Sequence, residues 1–111
     1  MTFRLNRLLT LEQRDRTPNN SGGYSEAWMS LGDLWAEVQM RSGRGTDYGD
    51  LATGRVSYRI IVRGAPVGDP SRPAAGQRFR EGNRLYGIEA VSERDAQGRY
   101  LVCFASEEVA A

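Results

Sequence analysis

Hydrophobic and polar residues alternate most cleanly along Arg55–Arg63. Val56, Tyr58, Ile60 and Val62 fall on one side, and Ser57, Arg59, Ile61 and Arg63 on the other. A period of two built from β-branched and aromatic residues predicts a half-buried strand. Ile61, on the polar side, predicts that this second face is partly covered. A second strand is predicted over Leu34–Arg41, where Ala36, Val38 and Met40 alternate with Glu37, Gln39 and Arg41. Trp35 lies on its second face, as expected of an edge or interface residue.

Further on, Arg84–Arg94 and Gly98–Glu107 predict a hairpin. One arm carries Leu85, Tyr86, Ile88, Ala90 and Val91; the other carries Tyr100, Leu101, Val102, Cys103 and Phe104. The intervening Asp95-Ala96-Gln97-Gly98 ends in a glycine able to take positive φ in a tight turn. Gln77–Arg80 reads as a short strand entering a turn at Glu81-Gly82-Asn83. Leu5–Arg16 carries both periods. Leu5, Leu8, Leu9 and Glu12 suit a helical turn, whereas Leu9, Leu11 and Gln13 alternate as in a strand, and a strand over Leu8–Asp15 is favoured. Thr17–Tyr24, with its Pro-Asn-Asn-Ser-Gly-Gly run, reads as a loop.

The expected fold class is therefore all-β. Five to six short strands most economically close into a small antiparallel, SH3-like β-barrel, which removes exposed edges. The 111 residues suit a single domain, since domains usually hold about 100–200 residues. Two polar stretches exceed tight-turn length: a glycine-rich inserted loop over residues 42–53 and a proline-rich loop over residues 64–76. Loops of about a dozen residues are often functional. The proline-rich one is expected to be semi-rigid and extended.

Composition narrows the chemistry. The chain has 15 basic and 14 acidic residues, a net charge of +1, and every basic residue is arginine. Near-neutrality argues against a dedicated nucleic-acid binder. Without histidine there is no histidine base or Ser-His-Asp triad, and a single thiol makes neither an intrachain disulfide nor a cysteine-rich zinc site. The lack of lysine fits a GC-rich genome, because the arginines spread along the chain instead of clustering. No apolar run approaches the roughly 18 residues of a membrane helix, and none follows the N-terminus as in a signal peptide. Use in a reducing cytoplasm, with Cys103 a free core thiol, is expected.

No catalytic constellation emerges. Gly43-Arg44-Gly45-Thr46 lacks the Gly-Lys-Ser/Thr ending of a phosphate loop. Asp47 and Asp50 do not have calcium-loop spacing and read as loop solvation. Glu107 and Glu108 read as a solvated tail end. Neither cofactor nor metal is expected. Trp28, Trp35, Tyr58, Tyr86, Tyr100 and Phe104 read as core candidates on alternating strands. Tyr24, Trp28 and Tyr48 lie in less regular sequence and fit either local packing or an exposed protein interface.

The ordered set of segments resembles a known family. "LLTLEQRDRT" leads to "GGYSEAW", then "LWAEVQMRSGRG", "VSYRIIVRG" and "GQRFREGNRLYGIEAVSERDAQGRYLVCFASEE". Over Leu8–Glu108 this resembles the head–tail joining proteins of tailed bacteriophages, also called head-completion or stopper proteins, and the connector proteins of phage-like gene transfer agents. Its most specific marks are Tyr24–Trp28, Trp35-Ala36-Glu37-Val38, the Tyr58–Arg63 strand, and Leu85-Tyr86-Gly87-Ile88 with Val91.

The resemblance implies a non-enzymatic virion component: a β-barrel forming a homo-oligomeric ring in the particle neck, six-fold or twelve-fold, with six favoured. Such a ring sits below the portal and adaptor on the head side, seals the DNA exit channel after packaging, and offers the tail terminator ring its attachment surface. It implies assembly in the bacterial cytoplasm, transient contact with packaged double-stranded DNA, and no membrane partner. By position, the loop over residues 42–53 becomes the channel plug, with Gly43, Arg44, Gly45, Asp47, Tyr48, Gly49 and Asp50 as its residues. Tyr24, Trp28 and Trp35 become candidates for the subunit or partner interface. Two other readings fit the same pattern. One is another neck protein, an adaptor or tail terminator, expected to carry more helix. The other is a small barrel module binding peptide or nucleic acid.

Overall fold

The computed structural model describes residues 3–18, 20–41 and 55–108. Six strands follow one another: β1 (Arg7–Pro18), β2 (Tyr24–Met40), β3 (Arg55–Arg63), β4 (Arg78–Glu81), β5 (Arg84–Glu93) and β6 (Tyr100–Glu108). All pair antiparallel, in the order β1-β2-β3-β6-β5-β4, and β1 meets β4 from Thr10↔Arg80 to Glu12↔Arg78 to close a barrel. Among the described residues there is no helix, so none is long and apolar enough to cross a membrane.

The core is built from alternate residues of every strand. Leu9 and Leu11, Ala36, Ile60 and Val62, Phe79, Tyr86 and Ile88, and Leu101, Cys103 and Ala105 fill the barrel. The strand read over Arg55–Arg63 has those bounds, with Ile60 and Val62 inward as expected. The alternation in β1 settles its ambiguity, because Leu9 and Leu11 are both buried.

Tyr100 and Phe104, read as core candidates, lie on the outer wall. Leu101, Cys103 and Ala105 occupy the inward positions of β6, so the residues between them must face out. This wall is nonetheless covered, as Ile61 predicted. Phe3 packs edge-on against Tyr100 at 4.9 Å between centroids and lines a shallow depression of about 300 Å³ with Ile61, Val102 and Phe104. Ile61 is 1% exposed for that reason.

The β1–β2 hairpin outgrows the barrel. β1 contacts β4 only as far as Glu12, and β2 contacts β3 only from Ala36 onward. Beyond these points Gln13–Pro18 and Tyr24–Met29 pair only with each other, as a two-stranded arm about 20 Å long at about 3.4 Å per residue. The second strand thus begins ten residues before the expected Leu34, and Tyr24–Trp28 is strand rather than loop. A ribbon with no core beneath it needs no alternation of apolar and polar residues, so its sequence carried no strand signal.

Residues 64–76 are turns rather than the expected extended segment. Asp69 Oδ1 accepts from the Ser71 amide (2.8 Å) and hydroxyl (2.7 Å), Arg72 Nη1 donates to the Ala65 carbonyl (2.9 Å), and Pro73 is fully buried. The loop is tied to the barrel where the Gly64 amide donates to the Arg99 carbonyl at 2.7 Å. A β-carbon at Gly64 would stand 2.0 Å from the Gly98 carbonyl oxygen, so only glycine permits this approach.

Candidate assembly surfaces

Tyr24, Trp28 and Trp35 come together on one face of the β1–β2 ribbon. Trp35 stands opposite Leu8, Trp28 opposite Arg14 and Tyr24 opposite Pro18, and these β1 positions share one side of their strand. A spacing of seven between Trp28 and Trp35 would put them on opposite faces of a regular strand. The register shift at Leu11/Glu12, where Leu31 is the extra residue between Ser30 and Gly32, inverts the alternation and realigns them. Gly32 takes φ +130 there, a backbone conformation that disfavours side chains. Trp35 is 56% exposed and Tyr24 61%, so Trp35 is not in the core, while Trp28 is half-buried.

Trp28 is partly covered because arginines stack on it. The Arg78 guanidinium lies 3.9 Å from its ring centroid and that of Arg14 5.3 Å. Toward the tip, Arg16 lies over Tyr24 at 4.9 Å. Cation–π stacking fixes guanidinium planes that would otherwise swing freely. Below Trp28, Arg78 Nε and Arg80 Nε each donate to one oxygen of Glu12, both at 2.7 Å. Glu12 is 6% exposed. Burial works to raise its pKa, but the hydrogen bonds from Arg80 and Arg78 and their charges outweigh it and hold the carboxyl below its ordinary range. One carboxylate therefore orients two guanidiniums by their Nε atoms. Sequence reading missed this cluster, since Glu12 and Arg78 lie 66 residues apart.

A second polar cluster closes the opposite end of the barrel. Arg84 makes two hydrogen bonds to Glu107, and Tyr58 donates its hydroxyl to the same carboxylate at 3.2 Å. Beside them Arg7 pairs with Glu81 and donates to the Tyr86 hydroxyl at 3.2 Å. The Arg84 hydrogen bonds hold Glu107 low, and those from Arg7 do the same for Glu81. Burial pushes both tyrosines up. Glu107, read as part of a solvated tail, is instead 9% exposed and anchors β6 to β3 and β5. From this end the chain leaves β2 after Met40 and returns at Arg55. The plug residues Gly43, Arg44, Gly45, Asp47, Tyr48, Gly49 and Asp50 lie between those points, outside the described residues.

Neither cluster has the makings of a reactive centre. Every titratable group in them is an ion-paired carboxylate, an arginine or a tyrosine raised by burial. Cys103, fully buried, has its pKa pushed up to about 12 by that burial and is no thiolate at neutral pH. Among the described residues no group of three or more carboxylates or thiols is placed to hold a metal ion.

The geometry is that of a packed barrel, and comparison with known proteins agrees with that fold. A chain from the virion of a native gene transfer agent particle shares 44% identity, covering 99% of this chain and 100% of that one, with a TM-score of 0.75. Protein SF1141 from Shigella flexneri 2a shares the fold at a TM-score of 0.66 and 23% identity, over 94% of this chain and 93% of its own. Among curated proteins none matches. The family model for the phage head completion protein matches residues 1–108, so the chain belongs to that family and is a structural head-completion component.

Proposed function

We propose that the protein is the ring-forming stopper of a particle neck. Copies, six in the favoured arrangement and twelve in the alternative, surround the DNA exit channel between a portal-adaptor ring on the head side and a tail terminator ring on the tail side. The ring closes the channel after packaging and carries the tail attachment surface. The observation that carries this reading is the match, over the whole length of both chains, to a component of a gene transfer agent virion. The adaptor and terminator alternatives were expected to bring more helix, and none occurs among the described residues.

In this reading residues 42–53 are the plug. The Arg84–Glu107–Tyr58 cluster supports it by fixing the start of β3, the strand into which that segment runs. A plug must be held by a base that does not yield when DNA presses on it. The mixed charges Arg44, Asp47 and Asp50 suit pairing between copies across an axis, where loops of one sign would repel. Deleting Gly45–Asp50 tests the assignment. The barrel should fold as before and filled heads should lose DNA; heads that stay sealed overturn the plug role.

A further inference from the structure

Copies in a ring meet head to tail, so each must carry two unlike surfaces on different sides. One candidate is the depression on the outer wall of β3 and β6. Ile61 and Val102 form its buried apolar base, and Phe3 and Phe104 line it. Each of these rings carries a guanidinium, Arg94 at 5.6 Å from the Phe3 centroid and Arg41 at 5.8 Å from that of Phe104. Arg59 and Gln39 complete the lining, and no carboxylate belongs to it. Glu37, two residues from Gln39, is occupied: it accepts from the Arg4 amide at 2.8 Å and from the Gln39 side chain. Among the described residues neither Arg41 nor Arg59 joins an ion pair. An apolar hollow of about 300 Å³ under surplus positive charge suits an apolar side chain that stands beside a carboxylate.

The loop over residues 64–76 presents such a pair. Val67 is 85% exposed, the most of any large hydrophobic residue among those described, and Asp69 follows two residues on. Gly68 between them adds no side chain to obstruct an approach. The tip is preformed, which lowers the cost of docking it. The Asp69 amide donates to the Pro66 carbonyl at 3.0 Å, and Asp69 Oδ1 takes both bonds from Ser71, which leaves Oδ2 for a guanidinium. Arg72 turns away from the tip: its Nη1 donates to the Ala65 carbonyl at 2.9 Å, and its charge bears on buried Cys103. The tip shares a groove with Gln13 and Leu31 of the β1–β2 hairpin and with Gln77 before β4, whereas the depression lies on β3 and β6. In the closed order β1 and β6 stand three strands apart either way round, so tip and depression occupy opposite sides of the barrel. A copy cannot fill its own depression with its own tip, and both remain for neighbours.

We propose that, in the stopper ring, the Val67–Asp69 turn of one copy seats in the Phe3–Phe104 depression of the next, with Val67 on Ile61 and Val102 and Asp69 against Arg59. The proposal rests on the ring reading above and specifies which surfaces make it. The test uses particles from cells whose own copy of the gene is replaced by variants. Val67→Cys and Gln39→Cys combined in one chain should, on oxidation of purified particles, give disulfide-linked dimers and longer multimers of this chain. Each cysteine alone should leave it monomeric, since Cys103 is buried. Arg59→Asp, folded by circular dichroism, should lower the amount of this chain in purified necks about tenfold or more, because it sets two carboxylates face to face. Normal incorporation of Arg59→Asp overturns the docking. So does a double-cysteine chain that forms no cross-link, which beside a depleted Arg59→Asp would assign the depression to an acidic segment of the head or tail partner. Dimers from either cysteine alone overturn it too, since they would place like surfaces together. The ring reading is judged separately, from the number of wild-type copies per neck: a single copy ends it, while a wild-type ring without cross-links ends only the docking.

Discussion

Arg84 grips Glu107 with two hydrogen bonds, Nε to Oε2 at 2.8 Å and Nη2 to Oε1 at 3.0 Å. The pair joins the first residue of β5 to the penultimate residue of β6, with Tyr58 of β3 bonded to both partners. Three strands are thereby pinned at the barrel end where β2 and β3 connect.

Removing the carboxylate should loosen that end. Glu107→Ala leaves the Tyr58 hydroxyl and Arg84 short of an acceptor in a partly buried site. A loss of about 1–3 kcal/mol in unfolding free energy is expected, since a deserted buried polar group costs more than its hydrogen bond returned. Arg84→Ala should cost less, because its side chain is 45% exposed and water replaces the lost partner. Urea titrations of the two variants and the double variant measure the difference. Equal costs would contradict the asymmetry of burial.

Acid should weaken the protein through three carboxylates. Glu12, Glu81 and Glu107 all titrate below their ordinary value of 4.5 in the folded chain. A group depressed on folding adds stability that is complete above its unfolded pKa and disappears as pH falls through the folded one. Stability is therefore expected to hold down to about pH 5 and to decline below about 4.5. With no histidine, no side chain has its ordinary titration between about pH 6 and 8, so that range should be flat. Denaturant midpoints at pH 7.5, 6, 4 and 3 test the shape. Glu12→Gln should flatten part of the acid limb while costing stability at neutral pH.

Gly64→Ala should be among the most harmful small changes in the barrel. Its methyl would meet the Gly98 carbonyl, so either the Gly64–Arg99 hydrogen bond or the 95–98 turn must give way. A loss of about 2 kcal/mol or more is expected from such overpacking. Gly87→Ala is the control. Its nearest neighbour is the Ser106 carbonyl at 3.8 Å, ordinary contact distance, and its melting temperature should stay close to that of the parent.

The barrel strands could be read from the chain wherever a strand had one dry face and one wet one. β3 is the clearest case, and Cys103, which reads as an inert core thiol from its apolar neighbours, is buried as such. Two kinds of feature escaped. Tyr100 and Phe104 look like core residues because Phe3, about a hundred residues away in sequence, covers the outer wall they occupy. Tyr24–Met29 carries no alternation because the arm has no core to face. Tyr24 and Trp28 stand out as aromatics in irregular sequence, and Trp35 as an aromatic on the second face of a strand. Their common face depends on a bulge, which a period-two reading has no means to place.

That bulge at Leu31 sets how the arm can change over evolution. An insertion or deletion of one residue in β2 between it and Trp28 would turn Trp28 and Tyr24 to the opposite side while leaving Trp35 in place. A change of two residues would lengthen or shorten the reach and keep every aromatic on the same face, two positions further along β1 or back. Relatives that fit necks of different spacing should therefore differ in arm length by even numbers, unless a second bulge restores the phase.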